Sequence, residues 1–458
     1  MKKILIITNA FPPYKYVGRL RVIQTAKYLP KFGWKPIVLA PTPNYLWVKD
    51  IKTLNEIPKH LKVYRAFMPI GLPVLVKKLS DSFAKNKHSE LNKKNEGLKT
   101  NKKSLNESFF KHIFINFINT IHNLSVKYLY IPDYHIIWLP FMLFKSIRII
   151  ENKNIDMIYS CSPANSMHIF GFILKILTKK SWIADYRDLW SDDHLHLWKN
   201  KYRANVEKYI EKNILRKSDK IIVTSKPAAR FMLYNFKHIT FSKIHVITNG
   251  YDSECNLVNK KYIKKINFSL VYTGNIMKYS KSNLLMAIGQ LLNQYRELKN
   301  NLRVFFIGNI DYEEKTEMEN TIISFAMQKN FIFKDWVNYK KLLKIQRSAD
   351  LLLLIKGSKR NTEVVIPGKI FEYIISGRPI LALVPDGAAR DLIMETNTGI
   401  CVYPNDVEGI KNAILALYHK WENNQLKIEP NYEAIKKYDR KNLTKKLAAI
   451  LDETLNKK

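Results

Sequence analysis

The sequence predicts an α/β protein built of two doubly wound domains facing across a cleft. Three observations carry this prediction. Short apolar runs alternate with longer helical patterns, the signature of parallel strand–helix units. The pattern restarts after the turn-rich stretch Thr248-Asn249-Gly250-Tyr251-Asp252, and 458 residues exceed what one core of ordinary size holds. The expected divisions are 1–250, 251–430 and a closing segment 431–458.

In the first half, Ile4–Thr8 reads as a strand, Arg19–Phe32 as a helix, Trp34–Ala40 as a strand and Val63–Ala66 as another. Residues 77–108 are expected to form a mobile insertion, since the chain is polar and lysine-rich from Ser80 to Ser108. Phe109–Leu124 and Ile136–Ile150 read as apolar, basic helices. Asp156–Ser160, Trp182–Asp185, Asp219–Ser225 and Lys243–Ile247 read as strands, and Ser166–Leu177 as a helix.

The second half repeats the scheme. Strands are expected at Phe268–Tyr272, Arg303–Ile307, Phe331–Trp336, Asp350–Ile355 and Pro379–Leu383. Helices are expected at Asn283–Leu298, Lys340–Ser348, Gly368–Ser376, Ala388–Thr396 and Tyr438–Leu455. In sheets of this kind the loops at the carboxyl ends of the strands carry the site.

Composition narrows the partners. Lys and Arg total 76 against 39 Asp and Glu, a formal charge of +37, with a pI near 9.8. Such a surplus fits an anionic partner (nucleic acid, acidic phospholipid or a phosphate-bearing substrate), and it fits equally a lysine-rich solvated surface. Cys161, Cys255 and Cys401 are widely spaced and form no paired motif, which points to a reducing compartment. The apolar run Ile4–Ile7 is too short for an export signal. No stretch of about 18 apolar residues is present, so the sequence predicts a cytosolic protein without a membrane span.

The densest chemistry lies in Val365-Ile366-Pro367-Gly368-Lys369-Ile370-Phe371-Glu372-Tyr373-Ile374-Ile375-Ser376-Gly377-Arg378-Pro379. A Pro-Gly turn feeding a helix with Lys369 in its first turn is suited to a diphosphate. Glu372 shares the Lys369 face and can accept from vicinal ribose hydroxyls. Taken as bare residues, the two also fit an ordinary surface pair. Asp185, Arg187 and Asp188 leave two readings. Either one carboxylate pairs with Arg187 while the other faces the cleft, or the three form an ion-paired turn that holds Trp190. His168 is either a packing residue or a catalytic one. Arg19 and Arg21 are candidates for a phosphate, or lie on a solvated helix face. Asp192-Asp193 with His194 and His196 come closest to a metal set, and a polar turn is the expectation there.

The stretch resembles the retaining group 1 glycosyltransferases of GT-B fold, whose nucleotide-sugar site has this proline–lysine–glutamate–tyrosine helix before a Gly-x-Pro strand. Other segments resemble the same family in order: Phe11-Pro12-Pro13 with Gly18-Arg19; Leu29-Pro30-Lys31-Phe32-Gly33-Trp34; Ser162-Pro163 with His168; Asp185–Trp190; Ile247–Asp252; Tyr272-Thr273-Gly274-Asn275; and Ala349-Asp350. The likeness runs over nearly the whole chain apart from 77–108.

It implies two Rossmann-like domains and a nucleotide diphospho-sugar as donor substrate, with no other cofactor and no catalytic metal. The donor would be held by Gly18, Arg19, Gly274, Asn275, Lys278, Lys281, Gly308, Val337, Pro367, Gly368, Lys369 and Glu372. Asp185, Asp188, His168 and Glu363 are the catalytic candidates. The acceptor would be a glycan or polyprenyl-linked chain held by the first domain, with domain closure excluding water and the last helix crossing back to that domain. The product would keep its anomeric configuration and serve a surface polysaccharide such as capsule or lipopolysaccharide.

Two departures stand out. The family's first glutamate falls at Val364, with Glu363 one residue off, so either Glu363 reaches the sugar or backbone N–H groups near Pro367-Gly368 act alone. The amino-terminal loop carries one glycine, Gly18, where two are usual. Peripheral attachment to anionic lipid at the inner face of the plasma membrane is expected from the apolar, basic helices. A nucleotide-sugar epimerase is the rival enzyme. A nucleic-acid binder is the rival of another class, disfavoured because the aromatic residues fall within apolar elements, and no nucleic-acid partner is expected. A nicotinamide dehydrogenase would need a G-x-G-x-x-G turn, absent after either first strand.

Overall fold

The computed structural model describes residues 1–14, 16, 18–43, 49–69, 117, 120, 123–125, 127–191, 200–255, 266–275, 281–357 and 361–457. The insertion expected at 77–108 and most of Phe109–Leu124 lie outside the described residues. The chain divides into two compact units. One comprises Met1–Ile222, Phe236–His245 and Ala448–Lys458, and the other Val223–Asn235 and Val246–Leu447. The Lys226–Asn235 helix therefore belongs with the second unit, ahead of the division expected at 250. The last helix, Arg440–Asn456, contributes residues to both.

The first sheet has seven strands: β1 (Lys2–Ile7), β2 (Trp34–Pro41), β3 (Lys62–Ala66), β4 (Met157–Cys161), β5 (Ser181–Tyr186), β6 (Lys220–Val223) and β7 (Ile244–Val246). Their spatial order is β3-β2-β1-β4-β5-β6-β7. The second sheet has β8 (Phe268–Thr273), β9 (Leu302–Ile307), β10 (Phe331–Lys334), β11 (Leu351–Ile355), β12 (Ile380–Leu383) and β13 (Gly399–Val402), in the order β10-β9-β8-β11-β12-β13. All five pairings of the second sheet are parallel. In each sheet the order reverses beside the first strand, between β1 and β4 and between β8 and β11. The diverging connections there open a crevice at the carboxyl ends.

Burial on both faces explains why these strands read as unbroken apolar runs. Phe268, Leu270, Leu351 and Leu353 join one core layer, while Val271, Leu352 and Leu354 join the layer on the other face. Asp350 anchors the start of β11. Its carboxylate accepts from the Ser269 backbone N–H at 2.8 Å, and from the Trp421 indole N–H at 3.1 Å.

Several expected elements change shape. The Arg19–Phe32 helix is α-helical only to Tyr28, then tightens to a 3₁₀ turn over Leu29–Phe32 that contains Pro30 and ends on Gly33 at φ 83°. Ile136–Ile150 resolves into a 3₁₀ turn, Tyr134–Trp138, and a helix, Leu139–Lys153, with Pro140 in its first turn. Asn283–Leu298 is two helices, Lys281–Gln294 and Arg296–Asn301. The helix expected at Gly368–Ser376 is a single turn, Ile370–Tyr373, followed by turns into Gly377 at φ 73°.

The Lys201–Lys217 helix was not expected at all, because its buried face holds Arg203, Glu207 and Glu211 among its apolar residues. Arg203 donates to Glu207 at 2.7 Å and to the carbonyls of Tyr130 and Pro132, and the Trp190 indole donates to Glu207 at 2.8 Å. A charged network thus fills a place where hydrophobic spacing would have announced a helix.

Candidate functional site

In the second unit the crevice at the switch between β8 and β11 is built from two glycine turns. Gly274 follows β8 at φ 104° and Gly308 follows β9 at φ 143°, conformations that side chains with a Cβ rarely adopt. A Cβ on Gly308 would sit 2.4 Å from the Gly274 carbonyl oxygen, so the two backbones pass too closely for any side chain. A Cβ on Gly274 would lie 3.2 Å from Lys369 Nζ. Bare backbone at both turns leaves room for that ammonium, which rests 3.7 Å from the centroid of the Tyr272 ring. The Tyr272 hydroxyl donates to the Asn275 carbonyl at 2.8 Å and closes the turn.

Around Lys369 a polar chain is ordered. Gln346 donates from Nε2 to Glu372 at 3.0 Å and to the Thr273 hydroxyl at 3.1 Å. The Tyr373 hydroxyl accepts from the Thr273 N–H at 3.1 Å. Burial pushes the Lys369 ammonium down to about 7, against the pull of Glu372. Burial likewise raises the Glu372 carboxyl, opposed by hydrogen bonds from Gln346 and Tyr339 and by Lys369. Burial thus works against the charged form of both groups, and their mutual attraction offsets it only in part. Gly368 is exposed and nothing lies within 4 Å of an added Cβ, so close packing does not require glycine there. The single helical turn after it is too short to act as a dipole. What the structure gathers at this place is the Lys369 cation and the two glycine turns, with no long helix behind them. Val337 is half-buried against the core layer that includes Phe371, and Pro367 is also half-buried.

Glu363 lies in a 3₁₀ turn, Thr362–Val364, half-buried. The turn is pinned by Lys356, whose ammonium donates to the carbonyls of Thr362 and Val365. Burial lowers that lysine to about 8, with Glu363 pulling the other way. Ser225 donates to the Val364 carbonyl at 2.6 Å.

In the first unit the structure corrects the reading of Asp185. Its carboxylate is fully buried and takes a two-pronged contact from Arg21, at 2.7 and 2.8 Å, plus the Tyr159 hydroxyl at 2.6 Å. Burial alone would raise its pKa. Arg21, Tyr159 and Cys161 overcome that and hold the carboxyl below its ordinary range. The group is committed to a structural ion pair, with no face left for a substrate. For His168 the surroundings are those of the packing alternative. It is fully buried, hydrogen-bonded through Nδ1 to Ser160 at 2.8 Å, and stacked on Tyr186 at 4.2 Å. Burial drives it down to about 3, against Asp185 and Asp133, so it is neutral throughout the working range and makes a poor proton shuttle.

Asp188 remains partly exposed, 3.8 Å from Arg187, whose guanidinium lies over the Tyr16 ring at 5.3 Å. Gly18 is explained by that pair: a Cβ there would fall 2.0 Å from the Arg187 guanidinium. Arg19 is taken by Glu56 through two contacts, at 2.9 and 2.7 Å. Lys278 and the Asp192–His196 stretch lie outside the described residues, as does the side chain of Lys281. Among the described residues no three His, Cys, Asp or Glu side chains come together to hold a metal ion.

Sequence comparison fits this geometry. Residues 267–420, which include both glycine turns, Lys369 and Glu372, match the family described as Glycosyl transferases group 1. Residues 109–254 match Glycosyltransferase Family 4. The chain thus carries a group 1 glycosyltransferase domain and, ahead of it, a Glycosyltransferase Family 4 domain. It is 24% identical over 240 residues to an uncharacterized glycosyltransferase of Methanocaldococcus jannaschii, covering 50% of this chain and 56% of that one. It is 28% identical over 204 residues to CapH, a capsular polysaccharide biosynthesis glycosyltransferase of Staphylococcus aureus, covering 43% and 50%. The matches thus span about half the length of these curated relatives. The crystal structure of Anabaena HepE in complex with UDP matches with a TM-score of 0.62 at 14% identity, over 99% of this chain and 100% of that one. That likeness establishes GT-B as the fold.

Lys369, Glu372 and the two glycine turns, which the structure brings together, were singled out by the sequence. Sequence reasoning missed Gln346, Lys356, Arg21 as an ion-pair partner, and Glu56. A lysine directly after a strand gave the one signal available for Lys356, and a lone glutamine on a polar helix gave none.

Two predictions follow from the charges. Arg21→Met leaves the Asp185 carboxylate buried and unpaired, so it costs about 3–5 kcal/mol, read as the urea midpoint. Unchanged stability with lost activity would instead return Asp185 to the chemistry. For Lys369, the folded protein holds fewer protons than the unfolded chain between pH 7 and the ordinary lysine range, so stability rises with pH across that window. Lys369→Met removes this rise, and at pH 7 the variant melts no lower than wild type. A marked drop in its melting temperature would show that the ammonium stabilises the free protein.

Proposed function

We propose that the protein transfers a sugar from a nucleotide diphospho-sugar to a glycan or lipid-linked acceptor in surface-polysaccharide synthesis, retaining the anomeric configuration. The observation that carries this reading is the meeting of Lys369, Glu372 and the bare turns at Gly274 and Gly308 at the switch point of the second sheet. The glycine turns admit a diphosphate against backbone. Lys369 faces the charge that grows on the leaving nucleoside diphosphate as the sugar–oxygen bond breaks, which lowers the barrier to transfer. Glu372, already fixed by Gln346 at 3.0 Å, accepts from the ribose hydroxyls. HepE was crystallised with UDP-glucose as well as UDP, and CapH is a capsular polysaccharide enzyme, which favours a uridine donor and a surface-glycan product. Glu363 and Asp188 are the carboxylates left for the sugar and the acceptor. Retention rests on the family likeness.

A thermal-shift screen against UDP-, GDP-, dTDP- and CMP-sugars tests the donor. A ligand at about 100 times its Kd adds close to 3 kcal/mol of stability. Glu372→Ala weakens that ligand by about 1–3 kcal/mol, and unchanged affinity would refute the ribose contact. Because the ligand needs the Lys369 ammonium, wild-type affinity falls from pH 7 to pH 9, by up to about tenfold per unit. Lys369→Met shows no such slope.

We also place the protein in the cytoplasm, resting on the anionic inner face of the plasma membrane. Among the described residues no helix is long and apolar enough to cross a membrane. The Leu139–Lys153 helix exposes Phe141 and Phe144, Phe67 packs edge-on to Phe141 at 5.0 Å, and Arg148 lies 4.0 Å over Phe144. Aromatic rings beside cations suit the headgroup layer. Vesicles containing phosphatidylglycerol should sediment the protein at low salt, and Phe141→Ser with Phe144→Ser should release it. Equal recovery of both proteins in the supernatant would sink the membrane reading.

A further inference from the structure

Lys356 is a buried cation of the second unit that the donor site described above does not use. Lys356 directly follows β11, beside the point where the strand order turns, and is 8% exposed. A buried ammonium needs partners, and this one is spent on backbone: it donates to the carbonyls of Thr362 and Val365. The turn between those carbonyls is gripped elsewhere too. The Val365 N–H bonds back to the Thr362 carbonyl at 3.1 Å, and the Ser225 hydroxyl donates to the Val364 carbonyl at 2.6 Å. Gly387, at φ 133°, passes so near that a Cβ would meet the Glu363 carbonyl oxygen at 2.4 Å. Glu363 sits between these held carbonyls, and its half-buried carboxylate interacts electrostatically with Lys356. Pro367, Gly368 and Lys369 follow at once in sequence.

We propose that Lys356 is a positioning residue for the sugar end of the donor site, clamping the Thr362–Val365 turn so that Glu363 is presented to the sugar. The proposal rests on the donor reading above. It divides the site in two: Lys369, Glu372 and the glycine turns hold the nucleotide, whereas the clamped turn serves only the sugar. Lys356 touches no ligand and acts through two carbonyls. Loss of its ammonium leaves the Val365 carbonyl without this donor and the Thr362 carbonyl with the Val365 N–H alone, which loosens the turn while the Gln346–Glu372–Tyr373 network stays intact.

The test compares wild type with Lys356→Met by hydrogen exchange over residues 361–366 and by affinity for UDP and UDP-glucose. GDP and GDP-mannose replace these if the screen selects guanosine. Exchange in the turn should quicken by about tenfold or more, affinity for the sugar nucleotide should fall by a similar factor, and affinity for the free nucleotide should change by less than about threefold. Equal loss of both ligands, or wild-type exchange in the turn, overturns the proposal. Ser225→Ala frees the Val364 carbonyl without disturbing the buried cation. Should Lys356→Met fail to fold, Ser225→Ala must show the same split in milder form. A folded wild type that binds no nucleotide refutes the donor reading, and the sugar role with it. The exchange result then still decides whether Lys356 holds the turn.

Discussion

The second unit depends on one close passage, that of Gly308 against the carbonyl of Gly274. Two strand ends can converge there only because neither turn carries a side chain. Their convergence keeps the crevice narrow and lined with backbone. It also lets the Lys369 side chain lie over Tyr272 instead of being pushed away. Gln346, Thr273 and Tyr373 then have fixed positions from which to orient Glu372. Close packing of backbone comes first, and the placement of charge follows from it.

The two units use buried charge in opposite ways. In the first, Asp185 meets Arg21, Tyr159 and Cys161, so its demand for partners is met within the protein. The second leaves Lys369 and Glu372 half-solvated, each displaced from its ordinary pKa by burial. A saturated pair stiffens a fold, whereas an unsatisfied cation waits for an anion. The same distinction separates Lys356, whose ammonium already holds two carbonyls, from Lys369.

Much of the architecture was legible in the sequence, since parallel strands buried on both faces appear as runs such as Leu351–Leu354. The Ala388–Thr396 helix was read to the residue. Elements whose buried face is charged were not legible. The Lys201–Lys217 helix hides Arg203, Glu207 and Glu211, and no apolar period marks it. At the site, glycine turns and the Lys369–Glu372 spacing are local signals and were found. The partner of Asp185 lies 164 residues away and that of Arg19 lies 37 away, distances over which side-chain chemistry alone names no pair. Asp185 and His168 looked catalytic because a strand end and a helix start are where catalytic groups gather. Only their burial shows that they serve the core.

The depressed lysine at the mouth of the second sheet has a chemical consequence. An amine that sheds its proton near pH 7 is a nucleophile at a pH where ordinary lysines are almost wholly protonated. Among the described residues Lys369 is therefore a side chain prepared to form an imine with an aldehyde or an amide with an activated ester. A nucleotide that restores its charge also withdraws its lone pair. On the donor reading, the group that would meet the diphosphate is also open to covalent capture, and a bound nucleotide would protect it.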